Sequence, residues 1–281
     1  MTISFLEALT SNLFLQLTLL AGIGASIAGG IVGSYVVVKR IAFISGSISH
    51  SVLSGMGICL FLSRTHDIPW LSPLYGAIIA AILSALLIGW VHLDYKQRED
   101  SVIAGVWAIG MAIGIIFISL TPGYNVDLQS FLLGNILWVS PADIITLILL
   151  DATVILIVAT FYKRLLAICF DEEEARLQGV NVRALYLLLL VLVALTVVLL
   201  IQVVGIILIM TMLTIPPTIA GLFTRRLSHM MLLSILLGAL FTTVGTYLAF
   251  SLDWPVGATI ALLAGIAYLA LLPVRSAARS R

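Results

Sequence analysis

The sequence predicts an all-α protein, a polytopic bundle of eight or nine membrane-spanning helices. Hydrophobic residues make up 62% of its 281 residues and charged residues only 10%, whereas soluble domains carry about 25% charged residues. Nine apolar segments have the length of about 20 residues that crosses a hydrocarbon core roughly 30 Å thick. These observations exclude a water-soluble fold, and they favour a single transmembrane domain over residues 1–281.

The nine segments follow one another with short polar connections. They are Asn12–Val38, Phe43–Leu62, Leu74–Leu93, Val102–Leu120, Ala142–Phe161, Leu185–Ile201, Val204–Phe223, Met230–Phe250 and Val256–Leu272. Phe131–Val139 is apolar but too short to span, so we expect a short or re-entrant element there. The seventh segment contains Pro216 and Pro217. Since proline removes a backbone donor, we expect an interrupted helix that is buried in protein or faces a water-filled cavity.

The basic residues set the orientation, because Lys and Arg stay on the cytoplasmic side of a membrane. The nine segments place 13 of the 14 basic residues on one face, and only Arg64 on the other. We therefore expect an N-terminus outside and a C-terminus in the cytoplasm. The same rule requires two crossings between Arg183 and Arg225, so the connection at Gln202–Gly205 must be tight.

Net charge and missing motifs exclude several classes of function. The net charge is +1, and no basic patch is present that would follow a phosphate backbone, so we expect no nucleic-acid partner. The pattern G-x-x-x-x-G-K-[ST] does not occur, so the chain lacks the usual phosphate cradle of an ATPase. Its acids and histidines form no nucleophile constellation. We expect a transport subunit in contact with membrane lipid, with no permanently bound cofactor, rather than an enzyme.

The run Ser45–Gly55 carries five serines and one histidine inside an otherwise apolar segment. At 1.5 Å per helical residue, His50 lies about 15 Å from Arg40 and about 21 Å from Arg64, near the middle of the membrane. Polar groups at this depth are costly and mark pathways of ions or substrates. Neutral imidazole is also a common ligand of transition metals, so His50 is a candidate pathway residue.

Ser47, His50, Ser51 and Ser54 share one helical face by their three- and four-residue spacing. This spacing favours a path that the four residues line together, with Ser47 as a second ligand. The alternative is structural: His50 hydrogen-bonds a neighbouring helix, and the serines let helices approach closely. The sequence leaves both interpretations open.

Asp151 lies in the middle of the fifth segment, where a carboxylate is costly. It faces the bundle interior, pairs with another polar group, or stays protonated. A role in transport is therefore the less favoured interpretation of Asp151, which is a weaker candidate than His50.

A polar segment, Phe170–Val180, interrupts the hydrophobic pattern on the predicted cytoplasmic face. Asp171 with Glu174 predicts a helix N-cap with a reciprocal acidic partner. Acids in the first turn suit the helix dipole, and Gly179 suits a C-terminal stop. We expect a helix of about two turns at residues 171–179, outside the membrane. It is either a solvated surface helix or a docking element for a soluble partner.

Several of these segments together resemble the integral-membrane permease of bacterial ATP-binding-cassette (ABC) importers for zinc, manganese or iron. The matching segments are Gly30–Arg40, Phe43–His50, Phe170–Val180, Val203–Pro216 and Leu252–Ile260. They occur in the family's order and cover nearly the whole chain. The resemblance implies an ABC importer permease fold in the bacterial plasma (inner) membrane.

The resemblance also implies partners. A second copy would form a homodimer with the metal pathway between the copies, ATP-binding subunits would dock from the cytoplasm, and an extracytoplasmic binding protein would deliver the divalent ion. The docking residues would belong to the cytoplasmic helix. They are Asp171, Glu172, Glu173, Glu174, Ala175, Arg176 and Gly179.

One departure from the family concerns the metal site. The family's motif carries an aspartate four residues before its histidine, whereas Gly46 stands at that position here. The resemblance therefore implies a weaker, less charged site, formed by two His50 side chains across the dimer and completed by water or Ser47. Asp151 is a second candidate for the missing carboxylate.

Two other functions remain open at this point. One is an ion-gradient-driven metal transporter or channel that acts without an ATPase, with Asp151 as its ion site. The other is an ABC permease for a larger ligand such as a metal chelate, which the compact length of the chain disfavours. Imidazole binds zinc, manganese and iron, so the sequence does not identify the metal.

Overall fold

The computed structural model describes residues 5–68, 70–95, 99–122 and 139–279. Its α-helices, in chain order, are α1 Phe5–Ser11, α2 Leu13–Val38, α3 Ala42–Thr65, α4 Pro73–Tyr95, α5 Glu99–Leu120, α6 Pro141–Phe170, α7 Glu172–Leu177, α8 Val182–Val204, α9 Ile206–Phe223, α10 Leu227–Leu252 and α11 Val256–Arg279.

Nine of these described helices, α2–α6 and α8–α11, are long and apolar enough to cross a membrane. The predicted all-α bundle of eight or nine spans is therefore confirmed, with nine spans in the described part of the chain. The short element expected at Phe131–Val139 lies, except for Val139, outside the described residues.

The described residues form two compact units. The first contains α1, α2, residues 141–160 of α6, the end of α8 from Leu199, and α9–α11. The second contains α3–α5, residues 161–170 of α6, α7, and α8 up to Val198. The predicted single domain stays a prediction.

In the first unit, small residues of α2 pack against α9 and α10. A methyl group on Gly33 would lie 2.4 Å from the Leu213 carbonyl oxygen, and one on Gly29 would lie 3.6 Å from the Met212 carbonyl oxygen. Because Gly29 and Gly33 carry no side chain, the backbone of α9 approaches α2 closely, as small residues allow in membrane helix packing.

The interruption expected at Pro216 and Pro217 is wrong, because α9 continues through both prolines. Proline leaves the carbonyl four residues earlier without its helical donor, which here frees Met212 and Leu213. Both of these carbonyls lie against the glycine face of α2. The prolines are buried, in line with the expectation that such a helix is enclosed by protein.

The predicted tight connection between α8 and α9 is confirmed. A single residue, Gly205, separates the two helices with φ of 81°. A side chain disfavours this left-handed backbone, whereas glycine adopts it readily. Gly205 therefore explains how two spans fit into so short a sequence.

In the second unit, α3 packs against α5 and α4. A methyl group on Gly55 would lie 1.9 Å from the Gly76 carbonyl oxygen, and one on Gly76 would lie 2.0 Å from the Gly55 carbonyl oxygen. On the other side, a methyl group on Gly110 would lie 2.6 Å from the Ser51 Cα atom. Backbone-to-backbone packing thus fixes α3, the helix that carries His50, between its two neighbours.

Candidate functional site

His50 lies about 12 Å along α3 from Ala42, the first residue of that helix. Its side chain is half-buried. The imidazole stacks on the indole of Trp107 from α5, with ring centroids 4.4 Å apart and an angle of 8° between the planes. The Trp107 Nε1 atom donates a hydrogen bond to the Met111 Sδ atom at 3.0 Å. Trp107 therefore fixes one face of the imidazole and leaves the ring edge, which carries the nitrogen atoms, for a ligand.

The serines around His50 divide into packing residues and one half-buried residue. Ser47 is fully buried and donates a hydrogen bond to the Ile103 carbonyl of α5 at 2.8 Å. Ser51 is buried, donates to the Ile48 carbonyl of its own helix, and lies against Gly110. Ser54 is half-buried and donates to the Ser51 carbonyl. The geometry supports the structural interpretation for Ser47 and Ser51. Ser47 as a second metal ligand stays a prediction.

Trp107 also lines a cavity of about 320 Å³. The other lining residues are Phe43, Asp100, Ile103 and Ala104. Most of these side chains are apolar, and Asp100, in the first turn of α5, adds a carboxylate at one end. The cavity gives space beside the ring on which His50 stacks.

Asp151 is buried in α6 and faces α2 of the first unit. Its Oδ1 atom accepts a hydrogen bond from the Ala28 backbone amide at 3.0 Å, and its Oδ2 atom lies 3.6 Å from the position that a methyl group on Gly24 would take. Of the expected environments, the structure therefore shows an interior position with a polar partner. This contact joins α2 and α6 within the first unit and gives the carboxylate one polar partner.

Within the described residues, no three His, Cys, Asp or Glu side chains come together in a group that could hold a metal ion. The described residues of one copy therefore form no complete three-ligand site at His50. A second copy is one source of further ligands for an ion at this position.

The helix at the predicted docking position is α7, which is shorter than the expected 171–179. Asp171 is its N-cap: the Oδ1 atom accepts hydrogen bonds from the backbone amides of Glu173 at 2.9 Å and Glu174 at 3.0 Å. At the other end, Gly179 has φ of 77°. The Val180 amide donates to the Ala175 carbonyl, as in a Schellman motif. The predicted cap and stop are both confirmed.

The predicted reciprocal bond from Glu174 to the Asp171 amide is wrong. The helix α6 continues to Phe170, so the Asp171 amide donates to the Ala167 carbonyl of that helix instead. The Glu174 carboxylate accepts a hydrogen bond from the Gln178 side chain at 3.0 Å. The long α6 thus leads directly into α7 and fixes its start.

One face of α7 is buried and the other is exposed. Ala175 is buried and Glu172 is half-buried, whereas Glu173, Glu174 and Arg176 are exposed. Two large apolar side chains flank the helix in exposed positions: Leu177 is 83% exposed and Phe170 is 71% exposed. The exposed side of α7 therefore combines charged residues with two large apolar side chains.

Replacing Asp171 with alanine is expected to weaken α7. Loss of an N-cap costs about 1 kcal/mol of helix stability, so binding of a protein that docks on α7 should weaken about fivefold. Asp171→Asn is the matched control, because asparagine caps a helix nearly as well without the charge. Binding measured by co-purification at graded partner concentrations should fall in Asp171→Ala only. Equal losses in both variants would assign the effect to the charge rather than the cap.

The chain is similar to known membrane transport proteins. The profile of the ABC 3 transport family matches residues 11–275. The chain is 49% identical to a probable metal transport system membrane protein of Chlamydia pneumoniae, over 94% of this chain and 89% of that protein. It is 34% identical to the manganese transport system membrane protein MntC of Halalkalibacterium halodurans, over 92% of this chain and 87% of that protein.

A solved structure, PsaBC from Streptococcus pneumoniae in complex with Fab, has a similar fold. The TM-score is 0.82, and the sequence identity is 32%. The match covers 95% of this chain and 93% of the chain in that structure.

Proposed function

The chain belongs to the ABC 3 transport family, and we propose that it is the membrane-spanning subunit of an ATP-driven importer of divalent transition-metal ions. It is a metal permease of nine described spans rather than an enzyme. The observation that carries the proposal is the combination of His50 and α7 in one compact unit. His50 provides a metal ligand at membrane depth, and α7 provides a capped, exposed helix at the end of α6.

The proposed partners follow from these two features. Two copies of the chain, each a single permease domain over residues 1–281, form a homodimer with the pathway between them. An ATP-binding subunit docks on the exposed face of α7, with Leu177 and Phe170 as its apolar contacts. A binding protein delivers the ion from outside. Membership of the ABC 3 transport family supports this assembly.

The proposed orientation follows from the basic residues. The N-terminus lies outside and the C-terminus lies in the cytoplasm, because this arrangement keeps 13 of 14 basic residues on the cytoplasmic face. The membrane is the bacterial plasma membrane. In this orientation α7 lies on the cytoplasmic side, where ATP is available.

The mechanism is alternating access around His50. ATP binding and hydrolysis in the partner subunits displace α7, and this displacement opens one end of the pathway at a time. One imidazole from each copy gives the ion two neutral ligands, and water completes its coordination. Neutral ligands hold a dication less tightly than carboxylates do, because they add no charge attraction. The ion is therefore released rather than trapped.

The proposed cargo is manganese, because relatives at 34% identity carry that name. Imidazole also binds zinc and iron, and manganese has the lowest affinity of the three for such ligands. Selectivity would therefore depend on the binding protein that delivers the ion as much as on His50.

Metal uptake by cells that express the chain with its ATP-binding subunit and binding protein tests the cargo. Radioactive manganese should accumulate, and at concentrations that saturate uptake a tenfold excess of cold manganese should reduce this accumulation by about 90% by isotope dilution. The same excess of zinc or iron should reduce it less. Accumulation of radioactive zinc or iron in place of radioactive manganese would assign the cargo to that metal instead.

A further inference from the structure

Lys39 has an unusual position for a lysine at a membrane boundary. It follows the last residue of α2 and precedes α3, yet its side chain is only 14% exposed. Lysine is almost never buried without a partner, and basic residues at the ends of spans normally extend into water. The environment of its ammonium group therefore needs an explanation.

Three elements surround the Lys39 ammonium. It donates a hydrogen bond to the Ile168 carbonyl of α6 at 2.7 Å and forms an ion pair with the carboxylate of Glu172 in α7. It also lies 5.8 Å from the centre of the Tyr186 ring in α8, within the range of a cation–π contact. One side chain thus joins the start of α3 to three other elements of the same unit.

Glu172 is distinguished from its acidic neighbours by where it lies. Glu173 and Glu174 are exposed, whereas Glu172 is half-buried on the same side of α7 as the buried Ala175. The outward side of α7 is therefore left for a partner, and the inward side is attached through Glu172 to Lys39. The two residues lie 133 positions apart in the chain, so the pair joins distant parts of the sequence.

The connection from Lys39 to α3 is short and stiff. Only Lys39, Arg40 and Ile41 separate α2 from α3. Arg40 has φ of 61°, a left-handed conformation that is costly for a side chain with a Cβ atom, and Ile41 is buried. Because only three residues connect the helices and Ile41 is packed, the Lys39 backbone lies close to the first turn of α3, the helix that carries His50.

We propose that Lys39 is a positioning residue that transmits movement of α7, through Glu172, to α3 and His50. The proposal rests on the proposed function, since it assigns the link between ATP hydrolysis and the metal pathway. The ion pair resists separation because both groups are largely shielded from water and bonded directly. Movement imposed on α7 by an ATP-binding subunit is therefore passed to α3 instead of being lost in a flexible loop.

A second ion pair in the same unit provides a matched control. Arg183 at the start of α8 donates to Asp94 at the end of α4 at 3.0 Å. The Arg183 side chain is 58% exposed, and neither residue belongs to α7 or to the connection before α3. An exposed pair of this kind contributes little, so its removal shows the effect of losing any ion pair in this unit.

The experiment measures ATP hydrolysis and manganese uptake in the same proteoliposomes, which contain the permease, its ATP-binding subunit and the binding protein. In Lys39→Met, which keeps the length of the side chain without its charge, we expect hydrolysis within about twofold of wild type. Uptake per ATP hydrolysed should fall about tenfold, as expected when a coupling contact is removed. Glu172→Gln should show the same loss, and the double variant should be no worse than either single variant. Arg183→Met should leave the ratio unchanged.

Several results would overturn the role of Lys39. One is a wild-type ratio of uptake to hydrolysis in Lys39→Met. Another is a fall of this ratio in Arg183→Met that equals the fall in Lys39→Met. If Lys39→Met does not assemble, Glu172→Gln decides alone. That variant retains the bond from Lys39 to Ile168, and a wild-type ratio in it would reject the proposal. ATP-independent uptake by the wild-type complex would overturn the proposed function together with this role, whereas ATP-driven uptake with normal coupling in the variants would overturn only this role.

Discussion

Replacing His50 with alanine is expected to lower metal uptake about 100-fold while the protein still folds. Even residues that only orient a metal ligand contribute 10- to 100-fold to affinity or activity, and His50 is proposed to be the ligand itself. The imidazole is half-buried and packs against a ring rather than into the core. The measurement is the initial rate of manganese uptake at equal amounts of protein in the membrane.

Two further variants separate metal binding from packing. Phenylalanine at position 50 keeps a ring that stacks on Trp107 but carries no nitrogen, so we expect the same loss as with alanine. Recovery of uptake in His50→Phe would show that the ring matters only for packing. His229→Ala is the matched control, because His229 is exposed at the start of α10, and it should retain wild-type uptake.

Replacing Gly55 with alanine is expected to destabilise the second unit by about 3 kcal/mol, at the upper end of overpacking costs. The added methyl group would lie 1.9 Å from the Gly76 carbonyl oxygen and 2.7 Å from the Ala80 Cβ atom. The carbonyl belongs to the backbone of α4 and has no rotamer through which to move aside, so α3 and α4 must separate. The midpoint of thermal unfolding in detergent should fall.

Gly105→Ala is the matched control for this change. Gly105 also lies within a span, but nothing lies within 4 Å of a methyl group placed on it. Since alanine is a better helix former than glycine, the variant should unfold at the wild-type temperature or slightly above it. Equal destabilisation by both substitutions would contradict a specific contact between Gly55 and Gly76.

The parts of the fold that could be predicted from the sequence are those that the membrane dictates. A hydrocarbon core of fixed thickness gives each span its length, and the bias of Lys and Arg required two spans within the short stretch that ends at Arg225. The predicted tight connection between these spans is the single residue Gly205. The ends of α7 were also predictable, because capping by Asp171 and termination at Gly179 depend on residues close in sequence.

The errors concern contacts between residues far apart in the chain. Pro216 and Pro217 do not interrupt α9, and the carbonyls that they free lie against glycines of α2 that are far away in the sequence. The Asp171 amide bonds to α6 rather than to Glu174, because α6 extends beyond the apolar segment. Helix propensity and local spacing carry no information about either contact.

The sequence identified His50 but not its surroundings. Trp107, on which it stacks, is 57 positions away, and no local motif marks it. Gly110, which packs against Ser51, is likewise distant from it in the sequence. The spacing of glycines in α5 was the signal that a neighbouring helix approaches there. The four residues that share one face of α3 therefore differ in role, since Ser47 and Ser51 pack and His50 stays accessible.

The most direct test of the account is manganese uptake by proteoliposomes that contain the permease, its ATP-binding subunit and the binding protein, with and without ATP. We expect uptake with ATP, no uptake with a non-hydrolysable analogue, and about 100-fold slower uptake in the His50→Ala complex with ATP. Uptake that continues without ATP, or through the permease alone, would contradict an ATP-driven importer and would favour a gradient-driven carrier or channel.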